Sequence, residues 1–249
     1  MKVVALIPAR FASTRFRGKP LAEIAGKPMI RMVCERVAAA RLVSETAVAT
    51  DDPRIRDAVT AFGGRVVMTS PESRSGTDRL SEAADKMGLK DDDIVVNVQG
   101  DQPLVHPDCV NEVVEPFFSD PGLGMSTLAF KIVNKRETHD PKDVKVVFDS
   151  RGNALYFSRS PIPHGRDTEC DMFKHLGIYA YTQKFLKEFA AFPPGRLEDI
   201  EKLEQLRALE QGRRIRVVVT RHDSPEVDLP EDIARIERAM EKEPLTPRR

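Results

Sequence analysis

The sequence predicts an α/β fold: a mostly parallel sheet flanked by helices, carrying a smaller antiparallel insertion. Three observations predict it. Short apolar runs alternate with segments of helical periodicity through the first half of the chain. One of them, Ile94-Val95-Val96-Asn97-Val98, is apolar on both faces, as a central parallel strand requires. After residue 125 the pattern changes, and a turn cluster, Asp149-Ser150-Arg151-Gly152-Asn153, separates two β-rich runs in the manner of a hairpin.

The elements follow in order. Val3-Val4-Ala5-Leu6-Ile7 is a buried strand, and Pro28 opens a helix carrying Ile30, Val33, Val37 and Ala40 at helical spacing. Thr46–Ala49 is a short strand. Asp51-Asp52-Pro53 starts a helix with Ile55, Ala58, Val59 and Phe62 on one face, stopped by Gly63-Gly64. Strand Val66–Met68, a helix near Thr77–Met87 and the central strand complete the parallel part. Val144–Phe148 and Ala154–Phe157 form the hairpin, and His175–Tyr181 is a strand. Helices are expected at Thr182–Phe192 and, unbroken, at Arg196–Gln211, then strand Ile215–Thr220 and a last helix after Pro230. The expected organisation is one unit over residues 1–240, with an insertion around 130–180 that covers the site or forms a dimer contact, and a charged tail at 241–249.

Composition narrows the function classes. The 249 residues include 39 Lys+Arg and 39 Asp+Glu, a formal net charge of zero. A global field that would draw in nucleic acid or an anionic membrane is therefore absent, and charge must act locally. Cys34, Cys109 and Cys170 are odd in number and widely spaced, which fits no disulfide framework or metal motif and points to a reducing compartment. The apolar run after Lys2 is too short for a signal peptide, and no stretch of about 18 apolar residues exists to insert in a membrane. A cytoplasmic protein is expected.

The first strand delivers its C-terminal end into a loop bearing Arg10, Arg15, Arg17 and Lys19. Open α/β sheets bind ligands outside the carboxyl ends of their strands, so four cations there suit a polyanion such as a triphosphate; a solvated basic loop is the alternative. Gly18-Lys19-Pro20 is no P-loop, because Ser13 and Pro20 stand where glycine and Ser/Thr are needed. No dinucleotide fingerprint is present. Phosphates would be held by side-chain cations, helped by amides near Ala12, Ser13 and Thr14.

Gln99-Gly100-Asp101-Gln102 follows the central strand at the same sheet edge. An acid beside a cationic phosphate loop makes sense as a Mg²⁺ ligand, with Gly100 letting backbone approach a nucleotide; a simple Gly-Asp turn is the alternative. Ser75 and Asp78 fit a capping box, while Arg79, a cation in a first helical turn, is explained by a bound phosphate or nucleotide, or by solvent exposure. Leu229 before Pro230 offers no capping oxygen, so Asp228 is either a second metal ligand or a substitute cap. On a helical wheel Glu204 falls between Leu197 and Ile200, and an inward carboxylate needs a partner, a ligand hydroxyl or a buried arginine. His175 and Tyr179 share a strand face with Gly177 between them, which leaves room for a polyhydroxylated ligand; core packing with satisfied polar tips is the alternative.

Together these segments resemble the 3-deoxy-manno-octulosonate cytidylyltransferase family over roughly Val3 to Met240. The matching blocks are Ile7-Pro8-Ala9-Arg10, Ser13-Thr14-Arg15, Gly18-Lys19-Pro20-Leu21, Ser75-Gly76-Thr77-Asp78-Arg79 and Asn97-Val98-Gln99-Gly100-Asp101. Further blocks are Val144-Lys145-Val146-Val147, Ala154-Leu155-Tyr156-Phe157-Ser158-Arg159, His175-Leu176-Gly177-Ile178-Tyr179, Leu203-Glu204-Gln205-Leu206-Arg207 and Val227-Asp228-Leu229-Pro230-Glu231-Asp232. The N-terminal loop is shared with other sugar nucleotidyltransferases; the later blocks single out this family. Arg17 stands where the family has proline, and Leu229 where it has threonine.

The resemblance implies a Rossmann-like fold of the nucleotide-diphospho-sugar transferase type, a homodimer and Mg²⁺. It implies transfer of CMP from CTP to 3-deoxy-D-manno-octulosonate (Kdo) for lipopolysaccharide synthesis, with pyrophosphate released by in-line attack of the sugar's anomeric hydroxyl on the α-phosphate. Arg10, Lys19 and Asp101 would be catalytic, and Asp101 and Asp228 would hold Mg²⁺. Ala9, Arg10, Ser13, Arg15, Lys19, Ser75, Gly76, Arg79 and Gln99 would bind the nucleotide. Gln102, Arg159, His175, Tyr179, Glu204 and Gln205 would contact the sugar acid, Arg159 gripping its carboxylate. Alternatives are another ulosonate (8-amino-Kdo or a sialate) and a catalytically silent nucleotide-binding regulator.

Overall fold

A computed structural model describes residues 1–12, 15–73 and 75–242. Ser13, expected at the nucleotide, and residues 243–249 of the tail lie outside them.

Strand β1 (Val3–Pro8) is flanked by β4 (Glu45–Thr50) and β6 (Ile94–Asn97), and β4 by β5 (Arg65–Met68), all parallel. A small hairpin, β2 (Glu23–Ile24) and β3 (Lys27–Pro28), separates β1 from helix α1 (Met29–Ala38). Helices α2 (Pro53–Ala61) and α3 (Gly76–Lys86) return the chain between parallel strands, as the alternating pattern requires. Asp52 caps α2 through the Arg54 amide and Ser75 caps α3 through the Asp78 amide.

Helices α4 (Pro107–Val114) and α5 (Pro116–Ser119) lead to β7 (Met125–Lys131), and α6 (Lys135–His139) to the hairpin β8 (Lys145–Phe148) and β9 (Ala154–Ser158). Then come β10 (Phe173–Thr182), helices α7 (Gln183–Ala191), α8 (Arg196–Glu201) and α9 (Gln205–Glu210), β11 (Ile215–Thr220) and α10 (Asp232–Lys242). The main path of the sheet runs β11-β7-β10-β6-β1-β4-β5, with β8 and β9 attached beside the start of β10. Only β10 runs against its neighbours along that path. Apolar side chains from both faces of the sheet form two core layers under the flanking helices.

Three differences from the sequence expectation have physical causes. Strand β7 escapes a hydrophobicity reading because Ser126 and Thr127 sit in its buried middle; their hydroxyls donate to the Val113 and Ile178 carbonyls, which removes the cost of burying them. β10 is no part of a separate insertion, since it lies in the main sheet between β6 and β7. The helix expected over Arg196–Gln211 is broken at Lys202, which adopts a left-handed conformation with φ 53°. There the Arg159 side chain takes the Glu201 carbonyl (2.7 Å) and the Lys202 carbonyl (3.4 Å), acceptors a continuing helix would have used. Ile200, in the short α8, faces solvent, 65% exposed, instead of the core.

Candidate active site

The carboxyl ends of β1 and β6 meet the segment before α10. Lys19 starts a short 3₁₀ turn, and its Nζ donates to Asp101 Oδ2 (2.6 Å) and the Val227 carbonyl (3.0 Å), with Asp228 Oδ1 at 3.9 Å. Arg15 meets Asp228 at 3.0 Å. Asp101 Oδ1 is buried with no hydrogen-bond partner among the described residues. The loop bearing Asp101 lies tightly on β1: a Cβ on Gly100 would sit 3.1 Å from the Pro8 carbonyl oxygen. The glycine thus allows backbone to lie against backbone.

The capping question at α10 resolves. Asp232, the first helical residue, accepts the Asp228 and Leu229 amides at 2.9 Å each. The helix starts two residues beyond Pro230, and the Asp228 carboxylate is spared capping work.

Arg10 and Ala9 both have partners within the protein. The Arg10 guanidinium donates to the Ser73 carbonyl (2.6 Å) and the Ser75 carbonyl (2.9 Å), tying the basic loop to the approach of α3. The Ala9 amide is spent on the Ala49 carbonyl at 2.9 Å. Gly76 begins α3 beside Pro8. Arg79, for which a phosphate or solvent was the expected explanation, is 1% exposed. It pairs with Asp51 at 3.1 Å and bonds Thr69, so its charge is compensated inside the fold; burial lowers its pKa against the pull of Asp51.

Strand β10, tied to the Asp101 loop by Gln102, carries a set of polar groups. The strand bulges between His175 and Tyr179, with Gly177 at φ +63°, yet the two rings remain on one face, 5.2 Å apart. Thr127 Oγ1 donates to the Ile178 carbonyl, so it must accept from His175 Nε2 at 2.8 Å. That fixes the Nε2–H tautomer and leaves Nδ1 as an acceptor. Burial depresses the His175 pKa to about 3, so the ring is neutral. Tyr179 donates to Gln205 Oε1 at 3.1 Å, which leaves Gln205 Nε2 buried and unpartnered among the described residues. Burial first, then Glu204 and Glu226, raise the Tyr179 pKa and keep the phenol protonated.

Glu204 reaches the cleft because of the break at Lys202, not by the helical wheel. It accepts from Thr77 Oγ1 at 2.8 Å, and burial raises its pKa against the Ser75 and Thr77 hydrogen bonds. Gln99 Nε2 makes long contacts, 3.4 Å to Asn97 Oδ1 and 3.5 Å to the Gly177 carbonyl. Gln102 Nε2 donates to the Leu176 carbonyl at 2.6 Å and to Glu226 Oε1 at 3.3 Å. Arg159 stands apart: its guanidinium holds the carbonyls of Pro141, Glu201 and Lys202, which makes it a clamp on backbone at the α8–α9 junction.

Sequence reading missed Glu226. It remains open to water, and the neighbouring protein atoms, then the Asp101 and Asp228 carboxylates, shift its pKa upward. The alternation Glu226-Val227-Asp228 could have found it, because Val227 is buried and its neighbours must face the other way.

A profile described as cytidylyltransferase matches residues 4–215. The chain belongs to the cytidylyltransferase family. This cytidylyltransferase is therefore a nucleotidyltransferase. It is 66% identical over 239 residues to a 3-deoxy-manno-octulosonate cytidylyltransferase of Desulfatibacillum aliphaticivorans, covering 95% of this chain and 98% of the relative. An 8-amino-3,8-dideoxy-manno-octulosonate cytidylyltransferase of Shewanella frigidimarina is 58% identical, covering 95% and 98%. Among solved structures, a CMP:2-keto-3-deoxy-manno-octonic acid synthetase complexed with CTP superposes with a TM-score of 0.91 at 43% identity, over 98% of this chain and 100% of that one. Among the described residues, no helix of this cytidylyltransferase is long and apolar enough to cross a membrane.

Proposed function

We propose that the chain transfers CMP from CTP to Kdo and releases pyrophosphate. The observation that carries the reading is the Lys19–Asp101–Asp228 cluster, joined through Gln102 and Glu226 to β10, the strand that carries His175 and Tyr179 with Gln205 bonded to the latter. Cations and carboxylates on one side suit a metal-bound triphosphate, and neutral donors and acceptors on the other suit a polyhydroxylated acid. The relatives at 66% and 62% identity named for this sugar support the choice.

No protein nucleophile is required. The anomeric oxygen of Kdo forms a bond to the α-phosphorus as the bond to the bridging oxygen of pyrophosphate breaks, and the hydroxyl proton is released. Positioning and charge stabilisation supply the rate. Asp101 and Asp228 would hold Mg²⁺, which supplies positive charge against the phosphates; the unpartnered, buried Oδ1 of Asp101 fits a ligand to a hard cation. Lys19 and Arg15 face the triphosphate as charge builds on the leaving pyrophosphate. Arg10 and Ser75 set the α3 approach against the nucleotide, and neutral His175 with Tyr179 and Gln205 orients the sugar.

A relative named for 8-amino-Kdo lies only slightly further away in sequence, which makes that sugar the second reading. Pyrophosphate release from CTP with Kdo, 8-amino-Kdo and N-acetylneuraminate in parallel decides between them. Fastest turnover with Kdo is expected; release with none of the three favours a silent nucleotide-binding protein.

A further inference from the structure

Resting on the sugar-acid reading above, we propose that Glu226 determines specificity for the sugar: its carboxylate accepts a hydrogen bond from a donor on the polyol, with Gln102 as its positioning partner. The segment that carries it is pinned twice. The Val227 amide donates to the Asp101 carbonyl at 2.9 Å, and the Val227 side chain is buried with Ile24, Met29, Met32 and Ile236. With Val227 turned inward, its neighbours are left for the other side: Glu226 meets Gln102 and Asp228 meets Arg15 and Lys19.

Their partners then divide them. Asp101 and Asp228 share Lys19, and Asp228 also has Arg15. Glu226 has no cation within ion-pair distance among the described residues. It has instead the Gln102 amide, from a side chain that is fully buried and whose Oε1 has no hydrogen-bond partner there. Gln102 also grips the Leu176 carbonyl, so it fixes Glu226 relative to β10.

Gly177 supplies the space. A Cβ there would lie 3.5 Å from Glu226 Oε1 and 3.9 Å from Gln102 Nε2, and φ +63° disfavours any side chain. The glycine leaves the face between His175 and Tyr179 open directly beside the carboxylate. Glu226 Oε1 is open to solvent on this face, with the Gln102 amide beside it, so it is free to accept from a ligand that docks over Gly177. A sugar hydroxyl has that chemistry, and so does the ammonium that replaces one in an amino sugar.

The test is steady-state pyrophosphate release by wild type, Glu226→Gln and Glu226→Ala with Kdo and with 8-amino-Kdo, varying sugar, CTP and Mg²⁺ in turn. A thermal shift on adding Mg²⁺-CTP reports that each variant is folded. Glu226→Ala is expected to raise the sugar KM roughly 10- to 100-fold, as loss of a hydrogen bond to a charged group does, with the KM for CTP and the Mg²⁺ requirement near wild type. A Glu226→Gln penalty larger for 8-amino-Kdo than for Kdo identifies the C8 substituent as the donor; equal penalties identify another hydroxyl. An unchanged sugar KM in a folded Glu226→Ala variant overturns the assignment, as does a raised Mg²⁺ requirement alone, which makes Glu226 a metal ligand. Wild type inactive with both sugars overturns the sugar-acid reading itself.

Discussion

Lys19 and Asp101 meet at 2.6 Å, and the same ammonium stands 3.9 Å from Asp228. One cation thus serves two carboxylates from loops more than a hundred residues apart, while the Val227 carbonyl holds it in place. A metal ion or a triphosphate entering this cluster competes with Lys19 for carboxylate or attracts its ammonium outward. If such a ligand binds here as proposed, the cluster would exchange its internal ion pairs for contacts to it.

Lys19→Met tests that exchange. Removing the shared cation leaves Asp101 and Asp228 repelling each other, at a cost of about 1–3 kcal/mol for a half-buried pair, below the figure for a fully buried one. Added Mg²⁺ is expected to raise the variant's Tm more than that of wild type, because the metal restores the missing charge. Equal Mg²⁺ shifts in the two proteins, read by thermal unfolding, count against a metal between these carboxylates.

Asp101→Asn keeps the size of the side chain and a hydrogen-bond acceptor for Lys19, so the fold is expected to survive. Turnover is expected to fall by about a hundredfold or more, the scale of losing one preorganised electrostatic element. Circular dichroism and pyrophosphate release together check this. Normal Mg²⁺-dependent release by the variant sinks the metal role of Asp101.

Much of this site was legible because local sequence and fold position agree. The apolar runs at Val3–Ile7 and Ile94–Val98 put Lys19 and Asp101 at one sheet edge, and even spacing put His175 and Tyr179 on one face despite the bulge. What escaped depends on partners distant in sequence. Nothing local to Arg196–Gln211 shows that Arg159, some forty residues earlier, takes the carbonyls at Glu201 and Lys202. Arg79 reads as an exposed or ligand-bound cation until Asp51 is seen beside it. Strand β7 hides behind Ser126 and Thr127, whose polarity is cancelled only by carbonyls from other elements.

Arg159→Ala should therefore loosen the junction between α8 and α9. Losing the bonds to three carbonyls costs on the order of 1–3 kcal/mol, some of it recovered by water at this partly exposed site. Amide exchange at Leu203–Gln205 is expected to accelerate, with the sugar KM rising more than the CTP KM because Glu204 and Gln205 lose their placement. Unaltered exchange there, with a sugar KM still raised, restores a direct carboxylate contact for Arg159.

His175 makes a prediction with a definite sign. Its pKa is about 3 in the folded protein and near the ordinary 6.5 in the unfolded chain. Below pH 6.5 the unfolded chain binds a proton that the native ring refuses, so stability present above that pH is lost as the pH falls towards 3. The slope from this residue is at most about 1.4 kcal/mol per pH unit. His175→Gln removes the titrating group while keeping a donor for Thr127, so its unfolding free energy between pH 6.5 and 4.5 should decline less steeply than that of wild type. Denaturant unfolding at several pH values measures the two slopes. A native imidazole that titrates near pH 6.5 by NMR contradicts the burial, and with it the neutral Nε2–H tautomer that leaves Nδ1 as an acceptor.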